Sequence, residues 1–213
     1  AEDMVRLYTF LVTFSMRVKS LRTGDFLLIP CAWTSENGSE NAVFLLLMKE
    51  VDANFGGYAV SIINASDYPD SGLEYHIPHV NSVSGMPQRK LYFNLRNVPD
   101  ERIQNTAFWL LVFRSVACAD SKTSAKFIYE RLLPFLTHMP LQASLSLQGE
   151  LLNEEMEYQN VPRSGDRSFV NALLESVRVM GMKSNLSYIE SFYLSFLLRY
   201  SLLKISFNDL LLE

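Results

Sequence analysis

Three apolar runs near the start of the chain decide the fold: FLLIPCAW at residues 26–33, AVFLLLMKEV at 42–51 and YAVSIIN at 58–64. The segments between them contain Gly, Asn, Ser and Asp, which form turns and tolerate positive φ. Short apolar runs separated by turn residues predict an antiparallel three-strand meander. The middle run is apolar on both faces over residues 43–48, so we expect a central strand covered by helices on both sides.

The apolar spacing differs outside the meander. Residues 91–95 alternate as a further strand does. Residues 2–20, 127–136, 168–180 and 186–204 have the three- and four-residue spacing of helices, as does the stretch from residue 100 to the interruption at 121–124. On the first helix the predicted inward face consists of Met4, Val5, Tyr8, Leu11, Val12 and Met16. On the helix predicted to begin at Asp100, the core side chains are Phe108, Trp109, Leu111, Val112 and Val116.

Strands early and helices late predict an α+β fold, an antiparallel β-meander packed against several α-helices. We expect one domain over residues 1–213, with an N-terminal helix at 1–21, a β-rich half at 22–98 and a helical half at 99–213. The polar stretch 137–165 is expected to connect two parts of it. The helical stripes predict four buried core residues: Trp109, Leu133, Leu173 and Phe196.

Composition excludes several classes of function. The 213 residues carry a formal charge of −4, with no cluster of Lys and Arg to bind nucleic acid or an anionic membrane surface. The chain holds two cysteines and no Cys/His cluster, so we expect no metal and no cofactor. With so few cysteines, an intracellular, cytoplasmic location is expected. Because the chain does not begin with Met, we expect a piece of a larger protein.

Cysteine chemistry has one candidate arrangement. A thiolate nucleophile needs a histidine to accept its proton, and Cys31 is followed downstream by His76 and His79. The alternative is that Cys31 is a small buried apolar residue and that the histidines are solvated. The second cysteine, Cys118, stands near Asp120, which raises a thiol pKa rather than lowering it.

Four segments resemble papain-like cysteine peptidase domains in permuted order, with the histidine strand before the cysteine helix. The string RSGDRSFVNALL at 163–174 is similar to the R-S/T-G-N/T-C motif that opens the catalytic helix, and Arg167 stands where the cysteine belongs. The segment from GDFLLIP at 24–30 to Trp33 and ENA at 40–42 resembles L-L-I-P-G-G-W…G-H-A, and Asn41 takes the place of the histidine. The segments INA at 63–65 with GLEYH at 72–76, and SAKFIYE at 124–130, resemble Y-N-T-G…G-L-x-Y-H and S-A-K-D-L-Y-E.

This resemblance implies a papain-like fold whose catalytic positions, Arg167 and Asn41, are degenerate. Asp166, Trp33 and Asn64 are then expected to line the neighbouring cleft. Arginine is permanently cationic and cannot replace a thiolate, and asparagine cannot accept its proton. The resemblance therefore implies a catalytically inactive domain that binds protein partners, a ubiquitin-like modifier or subunits of a larger assembly. The alternative is an active ubiquitin-type isopeptidase using Cys31 with His76 or His79.

Overall fold

The computed structural model describes residues 2–34, 40–50, 57–65, 72–76, 78–80, 87–117, 124–147 and 168–210. The strands are Phe26–Thr34 (β1), Glu40–Lys49 (β2), Gly57–Ile63 (β3), Pro78–Val80 (β4), Pro87–Arg89 (β5) and Tyr92–Pro99 (β6). The helices are Glu2–Lys19 (α1), Asp100–Ile103 (α2), Thr106–Ala117 (α3), Ala125–Phe127 (α4), Leu133–Thr137 (α5), Leu141–Leu147 (α6), Ser168–Lys183 (α7) and Tyr188–Leu210 (α8). A 3₁₀ turn lies at Leu73–Tyr75, and a π-helical turn at Ile128–Leu132 joins α4 to α5.

The main sheet has the strand order β1-β2-β3-β6, and every neighbouring pair in it is antiparallel. The predicted meander and its later fourth strand are therefore confirmed, and so is the α+β class. Of residues 43–48 of the central strand β2, predicted to be covered on both faces, 43–47 are buried and Met48 is partly buried. The short strands β4 and β5 pair with each other outside this sheet.

Helices cover both faces of the sheet. The front face, which carries Cys31 and Trp33, packs into one core with side chains from α1, α3 and the helical stretch 125–145. The back face, which carries Phe44 and Leu46, packs with Ala172 and Val179 of α7. Since α8 lies against α7, it is separated from the sheet by one helical layer. No helix among these described segments combines the length and apolarity needed to span a membrane.

The helix predicted from residue 100 onwards is two helices. The side-chain oxygen of Asn105 accepts hydrogen bonds from the backbone N–H groups of Ala107 (2.9 Å) and Phe108 (3.3 Å). An asparagine that satisfies these free N–H groups starts a new helix, and α3 begins beside it. On α3 the predicted core residues Phe108, Trp109 and Val112 are buried, whereas Leu111 and Val116 are exposed.

The predicted inward face of α1 is wrong for most of its members. Met4, Val5, Tyr8 and Met16 are exposed, and the buried positions are Leu11, Ser15, Val18. Apolar residues lie on more than one side of this helix, so the apolar spacing fits more than one face. The buried face of α1 is the one that packs against α3, through contacts such as Phe14 with Trp109 (ring centroids 4.9 Å apart).

The core prediction for α8 is also wrong. Trp109 and Leu133 are buried and Leu173 is partly buried against the back-face cluster, but Phe196 is 56% exposed. An apolar run indicates burial only if another layer covers it. The predicted connection at 137–165 contains α6, and its remainder from 148 lies outside the described residues.

Candidate functional site

Two of the predicted cleft positions are cross-strand neighbours. Asn41 of β2 pairs with Trp33 of β1, and residues that pair directly across antiparallel strands point to the same face. Asn41 therefore lies on the front face, where its side chain is buried beside the fully buried Trp33. Asn64 follows β3 on the same face, two positions after the front-face residue Ile62. Trp33, Asn41 and Asn64 thus meet at one end of the front face.

Tyr129 is the centre of this end of the sheet. Its hydroxyl oxygen accepts a hydrogen bond from Nδ2 of Asn64 (3.2 Å) and lies 2.9 Å from Nε2 of His76. The ring stacks on Tyr75, with centroids 4.8 Å apart and planes 6° from parallel, and meets the edge of Trp33 at 6.5 Å. We call these five residues the tyrosine cluster: Trp33, Asn64, Tyr75, His76 and Tyr129.

The hydrogen bonds of His76 define its tautomer. Nδ1 lies 2.8 Å from the carbonyl oxygen of Lys90, which can only accept, so Nδ1 carries the proton and donates. In neutral imidazole Nε2 then accepts from the Tyr129 hydroxyl. The chain of donors runs from the Asn64 amide to Tyr129, from Tyr129 to His76, and from His76 to Lys90. Both ring nitrogens of His76 are engaged in buried bonds, and the imidazole is 1% exposed.

Two backbone features hold Tyr129 in place. Gly72 has φ of +80°, and a Cβ on it would lie 2.5 Å from Cε2 of Tyr129, so a side chain there is excluded. Tyr129 itself lies in the π-helical turn. Pro134 follows that turn, and a proline in a helix has no N–H to donate and crowds the carbonyl four residues earlier.

Burial controls the titration of this region. Burial raises the pKa of Tyr129 far above its usual range, although the Asn64 hydrogen bond lowers it in part. Burial also raises the pKa of Cys31 to about 11, while its hydrogen bond to Ser115 acts in the opposite direction. Both groups are therefore held in their protonated forms at neutral pH.

Cys31 forms a buried hydrogen bond. Its Sγ lies 3.2 Å from Oγ of Ser115, and either atom can be the donor. The Ser115 hydroxyl also donates to the carbonyl oxygen of Val112 at 2.6 Å. A protonated thiol at a fully buried position is the reverse of the exposed thiolate that nucleophilic catalysis needs.

The remaining predicted positions are only partly described. Arg167 and Asp166 lie outside the described residues, so the degenerate catalytic position of Arg167 and the cleft position of Asp166 stay predictions. Arg167 directly precedes α7, which packs on the back face, whereas Asn41 points to the front face. His79 lies in β4 opposite Gln88. Cys118 is also outside the described residues.

The central residue of the tyrosine cluster, Tyr129, is not among the site residues predicted from the sequence. Tyr129 belongs to the string SAKFIYE, but nothing in its own helix indicates that it meets Asn64 and His76. A usable signal existed in GLEYH, because Gly72 and His76 both contact Tyr129. Within the described segments no three His, Cys, Asp or Glu side chains are grouped to hold a metal ion.

A second candidate surface lies on α8. Among the described side chains of α8, Leu194 is 40% exposed and six further large apolar side chains are 39% to 78% exposed. We call these six the α8 face: Ile189, Phe192, Tyr193, Phe196, Leu197 and Tyr200. Their spacing places them along one side of the helix. The opposite side, with the buried Ser191, contacts Gly181 of α7.

Comparison with known proteins identifies no relative. No protein-family model, curated protein or solved structure matches this chain.

Proposed function

We propose that this chain is a catalytically inactive, cysteine-peptidase-like domain that serves as a structural or protein-interaction module in a larger protein or assembly. The papain-like ancestry is proposed from the four sequence segments that resemble that family. The interaction role rests chiefly on one observation, the exposed apolar side chains of the α8 face.

The state of the one described cysteine supports the absence of catalysis. Cys31 is 0% exposed and its thiol shares a hydrogen bond with Ser115. Its pKa of about 11 leaves the thiolate scarce at neutral pH, and the thiolate is the nucleophile. For Cys31 to act as a nucleophile, the front-face core would have to open and the Ser115 contact would have to break.

The state of His76 supports the same conclusion. A general base needs a free nitrogen within hydrogen-bond distance of the proton that it accepts. Nε2 of His76 accepts a hydrogen bond from the Tyr129 hydroxyl, and Nδ1 donates one to the carbonyl oxygen of Lys90. The imidazole therefore works as a structural link between the helix that carries Tyr129 and the segment before β6.

The α8 face supports an interaction role. Six large apolar side chains on one helix expose on the order of 700 Å², taking about 150–250 Å² for each aromatic residue. Apolar patches of this size are uncommon on isolated proteins and mark interaction sites. We propose a protein as the partner, either a subunit of a larger assembly or a ubiquitin-like modifier, and an intracellular, cytoplasmic location.

An electrophilic ubiquitin probe separates this proposal from the alternative of an active isopeptidase. We expect no covalent labelling of the folded protein by ubiquitin carrying a thiol-reactive group at its C-terminus. Labelling that persists in Cys118→Ser but disappears in Cys31→Ser would contradict the proposal. His76→Ala and His79→Ala would then identify the base.

The degenerate positions give a test of ancestry. Arg167→Cys alone should produce no hydrolysis, because Asn41 cannot accept a proton. Turnover of a ubiquitin substrate by the double variant Arg167→Cys, Asn41→His would support a papain-like origin. Turnover by Arg167→Cys alone would contradict the roles assigned to both positions.

Photo-crosslinking tests the interaction role in the full protein in cells. A photoreactive phenylalanine derivative at Phe192 should give a discrete protein adduct. The same derivative at Glu101, which is exposed on α2, serves as the control and should give none. The absence of any adduct from Phe192 would argue against an interaction through the α8 face.

A further inference from the structure

Residues 72–76, GLEYH, form a short strap across Tyr129. The strap lies outside the four-strand sheet, and a hydrogen bond from the backbone N–H of Tyr75 to the carbonyl oxygen of Gly72 (3.2 Å) closes its 3₁₀ turn. Tyr75 is partly exposed, whereas the Tyr129 ring on which it stacks is 0% exposed. The strap therefore lies between the centre of the tyrosine cluster and solvent.

His76 attaches one end of the strap to the rest of the fold. Its Nδ1 lies 2.8 Å from the carbonyl oxygen of Lys90, in the segment before β6, and its Nε2 lies 2.9 Å from the hydroxyl of Tyr129, in the π-helical turn. The strap also has a bond from the Tyr75 hydroxyl to Oε1 of Glu130 (2.9 Å), but this bond is exposed and water competes for it. The buried attachment thus depends on His76.

The two bonds of His76 fit the neutral imidazole. In the protonated ring both nitrogens are donors, so Nε2 would present a hydrogen to the Tyr129 hydroxyl instead of accepting one. That hydroxyl already accepts from Asn64, and its own hydrogen would lose His76 as its acceptor. A buried donor that loses its acceptor and a buried positive charge both cost free energy. Protonated His76 is therefore more stable in water than beneath the strap.

The neighbouring charges leave this preference in place. Among the described residues, the titratable groups around His76 and Tyr129 lie on four elements: Glu74 and Tyr75 on the strap, Glu130 on the π-helical turn, Lys90 before β6 and Cys31 on β1. Both carboxylates are exposed, so solvent screens them from the ring. Lys90 is 1% exposed and adds no negative charge beside the imidazole.

We propose that the strap is an acid-sensitive latch. A proton from solvent adds to Nε2 of His76, the bonds to Tyr129 and Lys90 break, and the strap opens and uncovers the tyrosine cluster. The four-strand sheet stays folded, because the strap is not one of its strands. This inference depends on the contacts of His76 and is independent of the peptidase-like ancestry.

The size of the acid response follows from linkage. A solvated histidine has a pKa of about 6.5, whereas the closed strap holds the neutral ring. The closed strap therefore has its full stability above that pH and loses stability as the pH falls below it. The equilibrium constant for opening should rise about 30-fold between about pH 7.5 and pH 5.

Native-state hydrogen exchange of the full protein tests the latch. The readout is the Tyr75 amide, and the reference is the amide of Leu45 in the middle of β2. The opening constant at Tyr75 should show the 30-fold acid response and be nearly independent of low concentrations of urea, because local opening exposes little surface. Leu45 should have a smaller opening constant and a steep urea dependence, since global unfolding is needed to expose it.

Three substitutions assign the acid response. His76→Gln keeps an uncharged acceptor for the Tyr129 hydroxyl but removes the titrating ring, so the response at Tyr75 should fall below about 3-fold. Glu130→Gln removes the carboxylate that accepts from Tyr75 and keeps an acceptor oxygen. His138→Gln removes an exposed histidine after α5. Both of these controls should keep the 30-fold response.

NMR of the imidazole nitrogens in the wild-type protein provides a test that needs no variant. At pH 7.5 His76 should show the Nδ1–H tautomer, and its protonated form should appear together with the loss of Tyr75 amide protection. Three results would each overturn the inference: a protonated His76 under a strap that still protects Tyr75, equal opening constants and urea dependences at Tyr75 and Leu45, or an unchanged acid response in His76→Gln.

Discussion

The tyrosine cluster and the α8 face are both rich in aromatic residues, yet they are built in opposite ways. Tyr129 is 0% exposed, and its hydroxyl contacts two buried polar side chains. Tyr193 also lies on a helix, but it is 59% exposed on α8. The comparison teaches that aromatic content alone does not distinguish core from interface. What distinguishes them is whether another layer covers the side chain and supplies partners for its polar atom.

The largest expected difference in stability is between truncation of a tyrosine in the tyrosine cluster and truncation of a tyrosine on the α8 face. Tyr129→Ala removes a buried ring that contacts Tyr75, Trp33 and His76, and should lower the free energy of unfolding by about 3–5 kcal/mol. Tyr193→Ala removes a side chain that is 59% exposed and should change it by less than about 0.5 kcal/mol. Chemical denaturation measures both. Similar losses in the two variants would show that the two regions do not differ as described.

A smaller effect is expected from removing only the hydroxyl of Tyr129. Tyr129→Phe keeps the ring but deprives the Asn64 amide and Nε2 of His76 of their shared partner. Loss of a buried hydrogen-bond partner should lower the free energy of unfolding by about 1–3 kcal/mol. Tyr193→Phe is the matched control and should be neutral. A neutral Tyr129→Phe would mean that the hydroxyl contributes nothing to the cluster.

The smallest effect is a pH dependence that arises from Cys31. Its pKa rises from 9.0 to about 11 on folding, so the folded state keeps a proton that the unfolded state loses between these values. Stability from this group is therefore complete below pH 9.0 and falls as pH rises towards 11, by about 1 kcal/mol at pH 10.

The control for this pH effect is Cys31→Ala, which removes the titrating group. The melting temperature of the wild-type protein should fall more steeply above pH 9.0 than that of Cys31→Ala. The difference between the two proteins isolates Cys31 from tyrosines such as Tyr75, whose pKa is raised to about 12 by burial first and by Glu130 next. Parallel pH curves would contradict a buried, protonated thiol.

The sheet could be predicted from the sequence because its signal is local. Turn residues separate the apolar runs, and antiparallel neighbours in sequence become neighbours in space. The facing of helices could not be predicted in the same way. Phe196 has the spacing of a core residue but is 56% exposed, and none of the described elements covers it. The inward face of α1 is selected by contacts with α3.

The candidate site could be predicted from the sequence only in part. Trp33, Asn64 and His76 were each singled out from the sequence, and the structure brings Asn64 and His76 together through Tyr129. Tyr129 lies more than fifty positions from His76, and no periodic pattern links a helix residue to a loop residue at that separation. Nor does the sequence tell that Cys31 faces Ser115 instead of a histidine, since this depends on how α3 packs against β1.

The π-helical turn at Ile128–Leu132 determines how this helix responds to the deletion of a residue. A π turn holds one more residue than an α turn, so deleting a single residue between Ser124 and Pro134 allows a regular α-helix to form. The π turn fits this extra residue into a single turn, so its removal leaves the segments before and after the turn in nearly the same relative orientation. Leu133 and Leu136 would then stay buried in the front-face core. A one-residue deletion here should therefore be tolerated better than the same deletion in α3, where every later residue would rotate by about 100°.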